Sequence, residues 1–104
     1  MLVIDQKQNN GVVEVPAEDS FRLELHENPT TGYQWHLPSP IDPALRILDD
    51  SFERSDGGYG SGGIRRWTFV ADRPSVIALE IGLRRSWEPL PVQTFKITVD
   101  VKPR

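Results

Sequence analysis

Few side chains in this sequence are placed to make or break a bond. There is no cysteine among the 104 residues. That removes thiolate nucleophiles, Cys-ligated zinc and disulfides together. His26 and His36 stand ten positions apart with no third ligand in a recognisable pattern, so the spacing does not point to a metal centre. Asp49, Asp50, Glu53 and Asp56 read as a solvated acidic stretch rather than an acid–base set. No serine sits in a nucleophile elbow ahead of an Asp and a His. The chemistry on offer is that of contact.

Three stretches carry it. The first is Asn28-Pro29-Thr30-Thr31-Gly32-Tyr33. Asn before proline is biased away from helix, Pro29 fixes its own φ, and two β-branched threonines are stiff at χ1. Gly32 can then supply a positive φ before the aromatic. The expected result is a preformed, uncharged loop that displays backbone and two threonine hydroxyls. Such a loop loses little entropy on binding. The second stretch, 55–63, is glycine-rich and includes Tyr59, Gly60, Ser61, Gly62 and Gly63. Without Cβ atoms its backbone can approach a partner closely. The third, 84–91, carries Arg85, Ser86 and Trp87 ahead of Pro89 and Pro91. Trp beside Arg is a frequent pairing at interface hot spots.

Alternating apolar runs must position these stretches. Short strands are expected at 2–4 and 12–15, the latter ended by Pro16. Phe21, Leu23 and Leu25 share one face, with Arg22 and Glu24 on the other, a period of two. A strand at 33–37 follows the first loop. The proline-rich run 38–43 is expected to cross between sheets. Positions 45–52 are compatible with a strand or a helical turn, and are read as a strand. Trp67, Phe69 and Ala71 alternate, as do Ile77, Leu79, Ile81 and Leu83, and Phe95, Ile97, Val99 and Val101. No segment sustains a 3.6-residue apolar period. Seven to eight short strands separated by turn signals indicate an all-β, two-layer antiparallel sandwich, with a small barrel as the other architecture. Antiparallel strands alternate in direction, so connections 28–33, 55–63 and 84–91 fall at one end. The turns at 17–20 and 72–75 fall elsewhere.

The length suits one domain, 1–104, with a core that needs no cross-links. Twelve basic against fifteen acidic residues give a net charge of −3, which argues against nucleic acid as a partner. No apolar run reaches membrane-spanning length. The N-terminal residues lack the pattern of an export signal. The expectation is therefore a cytoplasmic protein, unless a leader precedes this chain and sends it to the periplasm or outside the cell. A monomer is expected.

In this order the three stretches resemble the chagasin family of cysteine-protease inhibitors. The family motifs are an Asn-Pro-Thr-Thr-Gly-aromatic loop, a Gly-x-Gly-Gly loop and an Arg-Pro-Trp loop. Here they read Asn28-Pro29-Thr30-Thr31-Gly32-Tyr33, Gly60-Ser61-Gly62-Gly63 and Arg85-Ser86-Trp87. The first match is complete over six residues and is the specific one. The second is short. The third departs at Ser86, where the family has proline.

The resemblance implies an immunoglobulin-like β-sandwich. Loops 28–33, 59–63 and 84–89 would enter the active-site cleft of papain-like cysteine proteases as a wedge. The threonine loop would cover the catalytic cysteine, with the other two as flanks. Inhibition would be reversible and non-covalent, with no cofactor and no enzymatic activity. Each residue also has a plainer reading. Thr30 and Thr31 serve as turn residues in many loops. A glycine-rich loop can be without function. Tyr59 is open between exposure and packing back on the sandwich. Trp87 is open between a contact and a plug over the sandwich end. Arg84 and Arg85 can be solvated charges. Trp35 and Trp67, both on strands, are read as core. The rival function is a carbohydrate- or surface-binding module using Tyr59 and Trp87.

Overall fold

A computed structural model describes residues 1–55 and 62–104. The strands are β1 (Leu2–Ile4), β2 (Gly11–Pro16), β3 (Ser20–Glu27), β4 (Gln34–His36), β5 (Leu45–Arg54), β6 (Gly63–Ala71), β7 (Ser75–Arg84) and β8 (Gln93–Lys102). They form two four-stranded sheets, ordered β1-β3-β6-β5 and β2-β8-β7-β4. The fold is the two-layer β-sandwich that the alternating pattern predicts, and it is immunoglobulin-like, as the resemblance implies. The short strands β1 and β2 pair in parallel with β3 and β8; the other pairings are antiparallel. The proline-rich run does cross from β4 in one sheet to β5 in the other, with a cis peptide at Ser39–Pro40.

The inward positions of each strand make the core. Phe21, Leu23 and Leu25 of β3 meet Trp67, Phe69 and Ala71 of β6 on the inner face of the first sheet. Ile77, Leu79 and Ile81 of β7, with Phe95, Ile97, Val99 and Val101 of β8, supply the facing layer. All are buried, as are Trp35 and Leu45. The Phe21 and Phe69 rings tilt at 41° with centroids 5.7 Å apart, a favourable aromatic arrangement.

β5 is a strand, but of its apolar residues at 45, 47 and 48 only Leu45 is buried. Register shifts between Ile47 and Asp49, which leaves Leu48 unpaired in a bulge. A bulge on an edge strand disrupts the template that another chain could pair with.

Register places the connections. The end of β3 at Glu27 pairs with Gly63 at the start of β6, which also pairs with Arg54 at the end of β5. In the second sheet Gln34, the first residue of β4, pairs with Arg84, the last of β7, and Leu83 pairs with Gln93 at the start of β8. The links after β3, β5 and β7 therefore leave from one pole, and the link after β3 joins the two sheets there.

Truncating the facing core and the exposed edge should separate cleanly. Ile81→Ala should cost about 2–5 kcal/mol by cavity formation, and Ile47→Ala should stay within about 0.5 kcal/mol. Urea unfolding of both variants checks this.

Candidate functional site

The loop at 28–33 is built by its own hydrogen bonds. Asn28 ends the extended chain and acts as a cap. Its side-chain Oδ1 accepts from Thr30 N at 3.2 Å and from Thr30 Oγ1 at 2.6 Å. Its carbonyl accepts from Thr31 N at 3.3 Å and from Thr31 Oγ1 at 2.8 Å. These bonds wind Pro29–Thr31 into a 3-10 turn, which the sequence pattern did not predict. Proline at the first position of such a turn needs no N–H there. Gly32 then takes φ +84°, the left-handed region that favours glycine. Both threonine hydroxyl hydrogens are spent inside the turn, so they are not free donors on display, contrary to expectation. Thr30, Thr31 and Gly32 are all exposed.

The base of this loop is a clamp that centres on Glu27, which is 1% exposed. Its Oε2 accepts from Trp35 N at 2.7 Å. Its Oε1 accepts from Arg65 Nη2 at 2.8 Å and Nε at 3.1 Å. The Trp35 indole Nε1 donates to His26 O at 2.8 Å. One carboxylate thus ties the strand before the loop to the strand after it, and both to β6. Burial opposes the charge of Arg65, but its hydrogen bonds and charge attraction to Glu27, with help from Asp50, hold its pKa above the ordinary value. A buried ion pair is a poor source of net stability but becomes costly when one partner is lost.

The described ends of the second stretch, Ser55 and Gly62, meet beside the first loop. Ser55 N and Ser55 Oγ both donate to Gly62 O at 3.0 Å. Gly62 has φ +77°, and a Cβ there would lie 2.7 Å from Glu27 O and 3.2 Å from Asn28 Cα and Cβ. Only glycine lets the two backbones approach this closely. Gly63, read from sequence as part of the loop, is instead a buried residue of β6. A Cβ on it would overlap the Glu53 carbonyl of the neighbouring strand, so its glycine serves strand pairing. Tyr59, Gly60 and Ser61 lie outside the described residues.

The third loop leans on the first from the other side. The Arg85 guanidinium lies 4.5 Å from the Tyr33 ring centroid and 5.8 Å from that of Trp87. A Cβ on Gly32 would sit 3.8 Å from Arg85 Cγ and 3.9 Å from Trp87 Cη2. Arg85 is half-buried between two aromatic rings, a cation–π arrangement. It is a spacer between loops rather than a solvated charge. Trp87 is 73% exposed, which excludes the plug reading. Ser86 is exposed beside it. Val92 N donates to Leu83 O at 2.8 Å and closes the loop.

The structure therefore brings Asn28–Tyr33, Gly62 and Arg85–Trp87 together at one pole, with the first loop in contact with both others. Sequence reasoning missed Glu27 and Arg65. Glu27 had a signal: it continues the inward phase of Phe21, Leu23 and Leu25. A carboxylate on an apolar face needs partners. Arg65 likewise continues the phase of Trp67 and Phe69.

Glu27→Gln puts an amide N–H₂ among donors and strands Arg65, and should destabilise the fold by about 2–4 kcal/mol in urea unfolding. Gly62→Ala forces a Cβ into the backbone of the first loop. It should cost about 1–3 kcal/mol and shift the Asn28 and Thr30 amide resonances, while leaving those of the turn at 72–75 in place.

Comparison with known proteins adds the family. The model of the chagasin family peptidase inhibitors matches residues 14–99. Amoebiasin-2 of Entamoeba histolytica is 22% identical over 104 residues, covering 93% of this chain and 84% of that protein. The crystal structure of the cysteine protease inhibitor EhICP2 from Entamoeba histolytica superposes with a TM-score of 0.83 at 17% identity, over 97% of this chain and 94% of that one. PbICP-C, solved in complex with falcipain-2, superposes with a TM-score of 0.63 at 14% identity over the full length of both chains. At these identities the two superpositions speak to the fold alone. The family match spans most of the chain, from β2 to β8, and with the motif loops at one pole it gives the identity: this chain belongs to the chagasin family of peptidase inhibitors.

Proposed function

We propose that this chain, as a single domain over 1–104, is a reversible, non-covalent inhibitor of papain-like cysteine proteases and not an enzyme. Loop 28–33 is the central projection and lies over the catalytic cysteine, with Thr31 and Gly32 at its tip. The glycine loop flanks it on one side, through Tyr59, Gly60, Ser61 and Gly62. Arg85, Ser86 and Trp87 flank it on the other. Gly63 keeps only a supporting part, because it is buried in β6.

The observation that carries this reading is the packing of Gly62 and of the third loop onto the first. Gly62 abuts Asn28, and Arg85 with Trp87 abuts Gly32. A first loop braced by Gly62 on one side and by Arg85 and Trp87 on the other loses little freedom on docking. The same stiffness protects the loop from cleavage. A capped turn braced by Asn28 and clamped by Glu27 cannot extend into a substrate strand, so a thiolate has no near-attack approach to its carbonyls. Trp87, exposed yet steadied by Arg85, has the character of an interface anchor.

Titration of papain or a cathepsin with a micromolar excess of this protein tests the proposal. Activity should be lost with no slow recovery, and the intact mass of the protein should be unchanged afterwards. Full retention of activity sinks the inhibitor reading. Glycan-array binding lost in Trp87→Ala, without protease inhibition, would favour a carbohydrate-binding module instead. In a protein that does inhibit, Trp87→Ala should weaken binding by about 1–4 kcal/mol, read from the inhibition constant.

A further inference from the structure

We propose that Arg84 is the positioning residue of the third loop: its guanidinium, bound to three carbonyls of the turn that carries Trp87, holds that turn in its docking shape. The inference rests on the inhibitor reading above and deepens it.

Glu88 N donates to Arg85 O at 3.0 Å, which makes 85–88 a β-turn with Ser86 and Trp87 as its central residues. Arg85 N donates to Glu88 Oε1 at 3.3 Å, so the turn is closed from both ends. Beneath it, Arg84 Nη1 lies 3.3 Å from Arg85 O, 3.2 Å from Ser86 O and 3.2 Å from Glu88 O. Nη1 carries two hydrogens, so the three carbonyls share them. Carbonyl oxygens gathered in this way repel one another, and a cation among them turns repulsion into charge-assisted bonding.

Arg84 is well placed for this role. It is the last residue of β7, Cα-paired with Gln34 of β4, so its backbone is fixed by the sheet. The two adjacent arginines divide the work. Arg85 seats the third loop against Tyr33 of the first, while Arg84 fixes the third loop internally.

Ser86 supplies the means of testing this. It occupies the second position of the β-turn, where proline is favoured. Among the described residues its N–H has no hydrogen-bond partner. A proline there loses no bond and stiffens the turn covalently. If Arg84 acts by ordering the turn, Ser86→Pro should replace it; if Arg84 contacts the protease, it should not.

The experiment compares the wild type with Arg84→Met, Arg84→Lys, Ser86→Pro and Arg84→Met/Ser86→Pro. The readouts are inhibition of papain, exchange of the Glu88 amide in the free protein, and the urea midpoint. Arg84→Met should weaken inhibition about three- to tenfold through the added ordering cost and speed Glu88 exchange, with an unchanged midpoint. Arg84→Lys, which keeps the cation, should fall between. Ser86→Pro should improve inhibition and slow Glu88 exchange more in the Arg84→Met background than in the wild type. Equal effects in both backgrounds would overturn the proposal, as would weakened inhibition with an unchanged Glu88 amide. Should the wild type fail to inhibit at all, the inhibitor reading falls, and the Glu88 amide still decides whether Arg84 orders the turn.

Discussion

The carboxylate of Glu27 sits where the apolar core stops and the projecting loops begin. It is sealed from water and accepts hydrogen bonds from Trp35 N and from two nitrogens of Arg65. Desolvating such a group is expensive. The cost is tolerable here because both oxygens are matched by donors, from the strand after the first loop and from β6, an inner strand of the first sheet. Glu27 thus converts a six-residue crossing between sheets into a loop whose two ends cannot move apart. With Trp35 Nε1 bonded to His26 O, the clamp has two bonds across the gap.

What rests on that clamp is a short hierarchy. The first loop is wound tight by Asn28 and capped by Gly32. The end of the second loop lies on Glu27 and Asn28, and the third reaches Gly32 through Arg85 and Trp87. The first loop is therefore the mechanical hub of the pole, and its shape sets where the others can stand. Beneath it, two sheets packed through branched and aromatic side chains give a support with little freedom. The opposite arrangement, a mobile loop that orders on binding, would need a larger interface to reach the same affinity.

Much of this was legible in the chain itself. Period-two alternation marked β3, β6, β7 and β8. Antiparallel strand order then put the three irregular stretches at one pole, and the six-residue motif marked the central one. Most of the misses share a physical cause: they depend on a neighbour distant in sequence. Glu27 went unread in the sequence, because its partner Arg65 lies 38 residues away. Gly63 looked like loop because its role, avoiding the Glu53 carbonyl, appears only once β5 and β6 are paired. Positions 45–52 were compatible with a strand or a helical turn, and the bulge between Ile47 and Asp49 at the sheet edge has no local signature. The threonine hydroxyls looked displayed, yet Asn28 two and three residues earlier takes both hydrogens. That last feature was within reach of the sequence, since Asn ahead of Thr-Thr is a capping pattern.

In the proposed complex a cysteine peptidase meets one pole of the sandwich and no other surface. Hydrogen exchange of the free protein and of its complex with papain whose cysteine is reversibly blocked by a small group tests it most directly. Exchange should slow only at 28–33, 55–62 and 85–92, with the turns at 17–20 and 72–75 and the outer sheet faces unaffected. Protection centred on those far turns, or on the exposed edge of β5, would contradict it.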